Sequence, residues 1–145
     1  MMNYKSQYIM RKVVSLLFLF ITLAVSAQEP ANNLRKSIPE LKQKFPDLIR
    51  WGGYDSEPNY KSPKANTLFT IKNNQVAIEF TMIVGENDYL HDLFSTLVER
   101  FRRGSNKVLW SNDKKSISIF YSYFYVSISY TPYSDVTIKY QLNSY

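Results

Sequence analysis

The chain has 145 residues, no cysteine and a formal net charge of +6 at pH 7, from 18 lysines and arginines against 12 aspartates and glutamates. The absence of cysteine excludes disulfides, thiol catalysis and a lipid anchor attached to an N-terminal cysteine. The length suits one domain, because domains most often have about 100–150 residues.

Residues 1–27 have the pattern of a secretory signal peptide. Residues 13–23 form an apolar core, 25–27 supply the small residues of a cleavage site, and three cations precede the core, Lys5, Arg11 and Lys12. The apolar stretch over 13–27 is shorter than the roughly 20 residues of a membrane span. We therefore expect cleavage after Ala27, no stable membrane anchor, and a soluble exported protein, periplasmic or extracellular and of bacterial type. Met10 is an alternative start, because a complete signal follows it.

The signal peptide accounts for half of the net charge. It contains three basic and no acidic residues, so 15 basic and 12 acidic residues remain, a net charge of +3. That charge is too small for the broad electropositive surface that binds a phosphate backbone. We expect no nucleic-acid partner.

Residues 28–36 are polar and predict a flexible N-terminal lead to a single domain over 37–145. Ser37 and Glu40 have the spacing of a capping box, and apolar residues at spacings of three and four predict a first helix from about Ser37 to Phe45. Pro46 ends it. Next, Leu48 to Trp51 predicts a short extended piece, and the polar stretch over 52–66 predicts a long loop.

A hairpin and a second helix are predicted in the middle of the chain. Residues 67–72 and 75–84 are rich in strand-forming types, and Asn73-Asn74 between them tolerates the positive φ of a tight turn. After Gly85, Asn87 or Asp88 is predicted to cap a helix with a long apolar stripe, which Gly104 closes.

Almost everything after residue 107 predicts strands, over 108–111, 116–122, 124–131 and 135–142. The apolar face changes parity near Ser122, so a bulge or a tight turn is predicted between Ser122 and Phe124. The predicted fold is α+β, two helices packed on one face of a twisted antiparallel sheet in the chain order α-β-β-α-β-β-β-β.

No catalytic or metal-binding constellation is apparent. His91 is the only histidine, and we interpret it as an exposed residue of the first helical turn, because its acidic neighbours offer too few nitrogen ligands for zinc. No Gly-x-Ser-x-Gly turn presents a serine nucleophile. We expect no cofactor and no metal.

A pair of carboxylates acting on a glycoside is the enzymatic alternative. The acids considered are Asp47, Asp55, Glu57, Glu79, Glu86 and Asp88. Glu79 is flanked by Ile78 and Phe80, and the alternation predicts that it points to solvent together with Ala77 and Thr81.

Tyrosines are the strongest functional signal in the domain. Of the 12 in the chain, ten follow the signal peptide, and a sheet face rich in tyrosine can stack on sugars or anchor a protein. The alternative is ordinary sheet packing. The candidate ligand-binding residues are Tyr54, Tyr60, Tyr121, Tyr123, Tyr125 and Tyr130, while Trp51 and Trp110 are expected in or beside the core.

The sequence thus predicts an exported, non-enzymatic binding or interaction domain that contacts a protein or glycan through a tyrosine-rich sheet face. One alternative is a small hydrolase of cell-envelope carbohydrate that uses an Asp/Glu pair. Another is a structural or assembly subunit that pairs through sheet edges near residues 135–142.

Overall fold

A computed structural model describes residues 32–145 together with the single residue Gln7. Apart from Gln7, the predicted signal peptide and its cleavage site after Ala27 lie outside the described residues. None of the helices in the described part has the length and the apolar run that crossing a bilayer requires.

Two helices and eight strands make up the described domain. In chain order they are α1 (Ile38–Lys44), β1 (Ile49–Gly53), β2 (Pro58–Ser62), β3 (Thr67–Lys72), β4 (Gln75–Val84), α2 (Asn87–Arg102), β5 (Lys107–Trp110), β6 (Ser116–Phe120), β7 (Phe124–Thr131) and β8 (Asp135–Leu142). All eight strands belong to one antiparallel sheet with the order β1-β2-β3-β4-β8-β7-β6-β5. The predicted α+β class with an antiparallel sheet is confirmed.

The predicted strand order is incomplete, because the segment interpreted as a long loop forms the β1–β2 hairpin. Gly52 and Gly53 have φ of 90° and 81°, and a Cβ on Gly53 would lie 2.6 Å from the carbonyl oxygen of Glu57. Pro58 begins β2, a position where a strand tolerates the missing amide hydrogen. The polar residues that follow pair with β3, so their backbone partners, rather than their side chains, hold them in the sheet.

Helix α1 starts as predicted. The Ser37 hydroxyl accepts a hydrogen bond from the Glu40 amide, and the Glu40 carboxylate accepts one of 2.7 Å from the Ser37 amide. These two bonds form the capping box. The Ser37 amide, and after it the Ser37 hydroxyl, donate to the Glu40 carboxylate and lower its pKa. Phe45 caps the other end, and its ring lies 5.1 Å from that of Phe69 in β3.

The two predicted turns are also present. Asn73 and Asn74 have φ of 52° and 62° between β3 and β4, which are the left-handed values of a tight hairpin. A tight turn, rather than a bulge, separates β6 from β7, because the Tyr121 amide donates to the Phe124 carbonyl at 2.9 Å. That reversal explains the parity change near Ser122.

Helix α2 is capped differently from the prediction. Glu86 is its N-cap and makes no side-chain capping bond. The Oδ1 atom of Asn87 instead accepts hydrogen bonds from the Tyr130 hydroxyl at 2.5 Å and from the Tyr133 amide at 2.9 Å. Asn87 therefore ties the end of β7 and the β7–β8 turn to the start of α2.

One side of the sheet, the core face, carries the buried residues of the strands. A transverse row of cross-strand neighbours on it runs Phe69, Glu79, Tyr140, Val126 and Ile119, and all five are buried. Helix α2 lies against β6, β7 and β8, and Phe101 of α2 is 6.3 Å, ring to ring, from Tyr140.

The opposite side of the sheet, the outer face, carries the alternate residues. Its central row of neighbours runs Lys61, Leu68, Phe80, Lys139, Ser127, Ser118 and Leu109. The strand side chains of this row are half-buried or exposed. None of its apolar members belongs to the core cluster.

Glu79 does not point to solvent, so that expectation is wrong. It lies on the core face and is only 7% exposed, with Ala77 buried as well. Its carboxylate accepts hydrogen bonds from the Asn33 amide at 2.7 Å and from the Asn33 side-chain nitrogen at 2.9 Å. Because a buried carboxylate requires partners, Glu79 holds the segment before α1 against the sheet.

The same segment makes four further hydrogen bonds. The Arg35 amide donates to the Val76 carbonyl and the Val76 amide donates to the Lys36 carbonyl, both at 2.9 Å. The ammonium groups of Lys36 and Lys44 donate to Asn33 Oδ1 at 2.9 and 3.0 Å. Asn33 and Leu34 are therefore buried, within the segment that the sequence predicted as a flexible lead.

We predict that Asn33→Ala lowers the free energy of unfolding by about 1–3 kcal/mol, because the buried Glu79 carboxylate loses a donor. Urea unfolding followed by near-ultraviolet circular dichroism measures this change. Asn112→Ala, in an exposed turn, is the matched control and should change stability by less than about 0.5 kcal/mol. Equal midpoints for the two variants would contradict the role of Asn33.

Candidate functional site

The six tyrosines predicted from the sequence do not form one surface. Tyr121 is buried, and its hydroxyl donates to the Phe101 carbonyl. Tyr60 and Tyr130 are half-buried and pack against the core, as does Tyr123, which carries the Arg35 guanidinium 4.1 Å above its ring. Tyr125 lies on the outer face. The sixth, Tyr54, is 82% exposed in the β1–β2 turn.

Four lysine–aromatic pairs lie on the outer face. The Lys61 ammonium lies 4.5 Å from the ring centre of Trp51, at the β1 end of the sheet. Near the middle, Lys139 lies 6.0 Å from Tyr125, and this ring stacks on Phe120 with 5.5 Å between centroids. Each pair presents a flat apolar ring beside a positive charge, which is the combination that cation–π contact stabilises.

Two more pairs belong to this pattern. Lys107 in β5 lies 5.9 Å from Phe120, and Lys72 in β3 lies 4.8 Å from Tyr145. The Tyr145 hydroxyl donates to Glu57 at 2.9 Å, and Lys72 forms a 3.4 Å salt bridge with the same carboxylate. The hydrogen bond to Glu57 raises the pKa of Tyr145. Lys72 is thus partly neutralised, whereas Lys61, Lys107 and Lys139 form no salt bridge among the described residues.

Hydroxyl groups occupy the part of the outer face between the aromatic pairs. Ser118 and Ser127 are cross-strand neighbours with their hydroxyl oxygens 3.3 Å apart. The next row consists of Ser116, Ser129 and Thr137. Hydroxyls are uncharged and both donate and accept hydrogen bonds, so this strip can bind either the donors or the acceptors of a polar partner.

The outer face is positively charged. Its strand positions carry four lysines and one carboxylate, Asp135, which lies at the end of β8 and accepts a bond from the Ser134 hydroxyl. Most other acids of the domain lie in the helices and turns, at Glu40, Asp47, Asp55, Glu86, Asp88, Asp92, Glu99 and Asp113. The charge of the domain is therefore unevenly distributed, with an excess of cations on the outer face.

A groove of about 560 Å³ lies on the opposite side of the sheet, between α2 and the β5–β6 hairpin. Its floor is aromatic, because Phe94 of α2 stacks on Tyr130 at 5.8 Å and meets Trp110 at 6.3 Å, ring to ring. His91 stands edge-on to Tyr130 at 5.9 Å, and two lysines of the hairpin turn, Lys114 and Lys115, form the rim.

Four of the six carboxylates considered for hydrolysis make hydrogen bonds or salt bridges within the domain. Glu79 is held by Asn33, and Asp55 and Glu57 form salt bridges with Arg50 and Lys72. Asp47 accepts bonds of 2.8 Å from the Lys64 amide and from the Ser62 hydroxyl. The Lys64 amide is the largest cause of a lowered Asp47 pKa, which is the opposite of what a general acid needs.

His91 is exposed in the first turns of α2, as the sequence predicted, with its Nδ1 atom 3.7 Å from Asp92. In the part of the chain that the structure describes, no group of three or more histidine, aspartate or glutamate side chains is arranged to hold a metal ion.

Burial affects the phenol of Tyr140. It lies on the core face beside Glu79, and burial, followed by the Glu79 charge, raises its pKa well above the ordinary value of 10.0. Tyr140 therefore stays neutral and acts as a packing residue beside Phe101.

Comparison with known proteins finds no match: no protein-family model, no curated protein and no solved structure is significantly similar to this chain. Its candidate surfaces therefore have to be judged by their own residues.

Several candidate residues were missed at the sequence level. Trp51 was expected in or beside the core but is 55% exposed, and it lies in β1, which is an edge strand of the sheet. No sequence pattern marked Lys139 or Lys107 as a candidate site residue. Alternation within β8 and β5 could have placed them on the polar face, but only strand pairing brings them beside Tyr125 and Phe120.

The topology also corrects the hypothesis that the chain assembles through a sheet edge near residues 135–142. Strand β8 pairs with both β4 and β7, so it is an interior strand. The free edges of the described sheet are β1 and β5.

The free energy of unfolding of Asp47→Asn should fall less on acidification than that of the wild type. A lowered folded-state pKa contributes stability that is present above the unfolded value of about 3.9 and is lost as the pH falls through the folded value. The wild type should therefore exceed Asp47→Asn in stability at neutral pH, and the two should converge in acid. Chemical unfolding at a series of pH values measures this, with exposed Asp55→Asn as the control. A stability difference that does not change with pH would contradict the prediction.

Proposed function

We propose that this chain is an exported, non-enzymatic binding domain that holds an extended anionic partner, a glycan or a protein, on the outer face of its sheet. The observation that carries the proposal is the set of lysine–aromatic pairs on that face. Rings such as Tyr125 and Trp51 supply rigid contact area, and their lysines supply charge.

The proposed architecture leaves this face free. Phe45, next to α1, contacts Phe69, and Phe101 of α2 contacts Tyr140. Both contacts are made with residues of the core face, which supports the packing of both helices on that one side of the sheet. The outer face then presents half-buried apolar residues that the core does not use, including Leu68, Ile78, Phe80 and Met82.

Charge favours an anionic partner over a second copy of the chain. Two outer faces brought together would place their unpaired lysines against each other, which disfavours such a dimer. An acidic chain would instead neutralise them. The Ser118–Ser127 hydroxyl strip between the charged pairs suits a partner with many hydroxyl or amide groups.

Export remains part of this proposal and rests on the signal-peptide pattern of residues 1–27. In the periplasm or outside the cell, acidic polysaccharides and acidic protein segments are both partners that the outer face could meet. The hydrolase alternative gains no support from the carboxylates, since four of the six considered are occupied by partners within the domain.

The two tryptophans allow the outer face to be tested separately from the groove. In a Trp110→Phe background, Trp51 alone reports on the outer face. Titration with polygalacturonate should give a saturable change in Trp51 emission that weakens as salt is added, whereas neutral dextran should give none. Poly-glutamate, titrated in parallel, shows whether a protein-like polyanion is accepted.

Lys61→Gln combined with Lys139→Gln should weaken polyanion binding by about tenfold, because two charges are removed while the rings stay in place. The matched control is Lys42→Gln combined with Lys64→Gln, both exposed and away from the outer face. Retention on immobilised polygalacturonate provides a second measurement. Absence of retention, or equal salt dependence in the two double variants, would refute the proposed function.

A further inference from the structure

The groove between α2 and the β5–β6 hairpin has features that the outer face does not explain. It lies on the other side of the sheet, and its lining combines aromatic rings with two lysines and the carboxylate of Asp113. Its volume, about 560 Å³, falls within the range of about 300–1,000 Å³ that is usual for small-ligand sites.

We propose that this groove binds one or two units of a sugar acid, with a sugar ring against Trp110 and Tyr130 and the carboxylate at Lys114 and Lys115. The proposal concerns a separate site and does not depend on binding at the outer face.

The aromatic floor is fixed by contacts on several elements. Phe94 lies between Tyr130 and Trp110 and contacts both rings. The Tyr130 hydroxyl donates to Asn87, so the ring cannot swing out without breaking that bond. A preformed floor of this kind favours the apolar face of a ring over a flexible chain, because little freedom is lost on binding.

The positive charges of the rim are available to a ligand. Lys114 holds its ammonium 5.8 Å from the centre of the Trp110 ring. Neither Lys114 nor Lys115 takes part in a salt bridge among the described residues. Their acidic neighbour, Asp113, instead accepts bonds from the Ser111 hydroxyl at 2.6 Å and from the Lys115 backbone amide at 3.0 Å.

The backbone places Lys114 over the floor at a conformational cost. Its φ is 59°, a left-handed value that residues other than glycine rarely adopt. Such strain is common where a side chain is held for a ligand. Within this turn, the bonds of Asp113 maintain the backbone geometry from which the Lys114 side chain extends.

The combination of groups selects a sugar acid over simpler ligands. A small carboxylate would meet the lysines but leave the rings uncovered, and a neutral sugar would cover the rings but leave the lysines unpaired. A ligand with both a ring and a carboxylate satisfies both parts of the groove. The side chains of His91 and Ser95 at the α2 wall can contact its hydroxyl groups.

The test uses the full chain with Trp51→Phe, so that Trp110 is the only tryptophan. Galacturonate should change Trp110 emission in a saturable way, and galactose and acetate should each bind at least about tenfold more weakly. Digalacturonate is titrated as well. Tighter binding of digalacturonate than of galacturonate would indicate the terminal units of a glycan as the ligand, and tighter binding of galacturonate would indicate the free acid.

Lys114→Gln removes the charge but keeps a polar side chain, and it should weaken galacturonate binding by about tenfold, whereas the control Lys42→Gln should leave it unchanged. Shifts of the Trp110 indole and His91 ring signals in nuclear magnetic resonance spectra provide a second readout if emission changes little. The proposal is overturned if galacturonate affects neither readout, if galactose binds equally well, or if Lys114→Gln and Lys42→Gln behave alike. Because Trp51 is absent from this protein, failure here leaves the outer-face result unaffected.

Discussion

The structure depends on the pairing of β4 with β8. Strands β1–β4 and β5–β8 are each built from neighbours in sequence, and seven residue pairs, from Ile78↔Gln141 to Val84↔Asp135, join the two halves into one sheet. The segment between these two strands contains α2 and strands β5–β7, so the pairing joins residues far apart in the chain. Both the core under α2 and the continuous outer face follow from it, since Phe80 and Lys139 become neighbours only through this contact.

The two sides of the sheet differ in composition and in burial. The core face buries aliphatic and aromatic side chains and admits one carboxylate, Glu79, at the price of a dedicated partner in Asn33. The outer face distributes lysines among aromatic rings, which keeps half-buried apolar surface hydrated and positively charged. A domain without disulfides must obtain its stability from the first side.

Local features were predictable from the sequence and long-range ones were not. The capping box of Ser37, the Asn73-Asn74 turn and the extent of α2 depend on residues close together in the chain, and all three are present as expected. The β1–β2 hairpin escaped prediction because backbone pairing with β3, not side-chain type, makes it a strand. Glu79 was misplaced because its burial depends on Asn33, 46 residues away. The candidate groove was not predictable, since it joins α2 to two separate hairpins.

The contact of Arg35 and Lys36 with Val76 also makes the two ends of the domain different. The segment before α1 meets the sheet near the start of β4, whereas the groove lies near its end, where Ile83, Val136 and Tyr130 are neighbours. Seven residues of extended strand between Val76 and Ile83 correspond to about 23 Å. A domain tethered through its N-terminal segment would therefore direct the groove away from the point of attachment, and a fusion partner or immobilising tag placed there would leave the groove accessible.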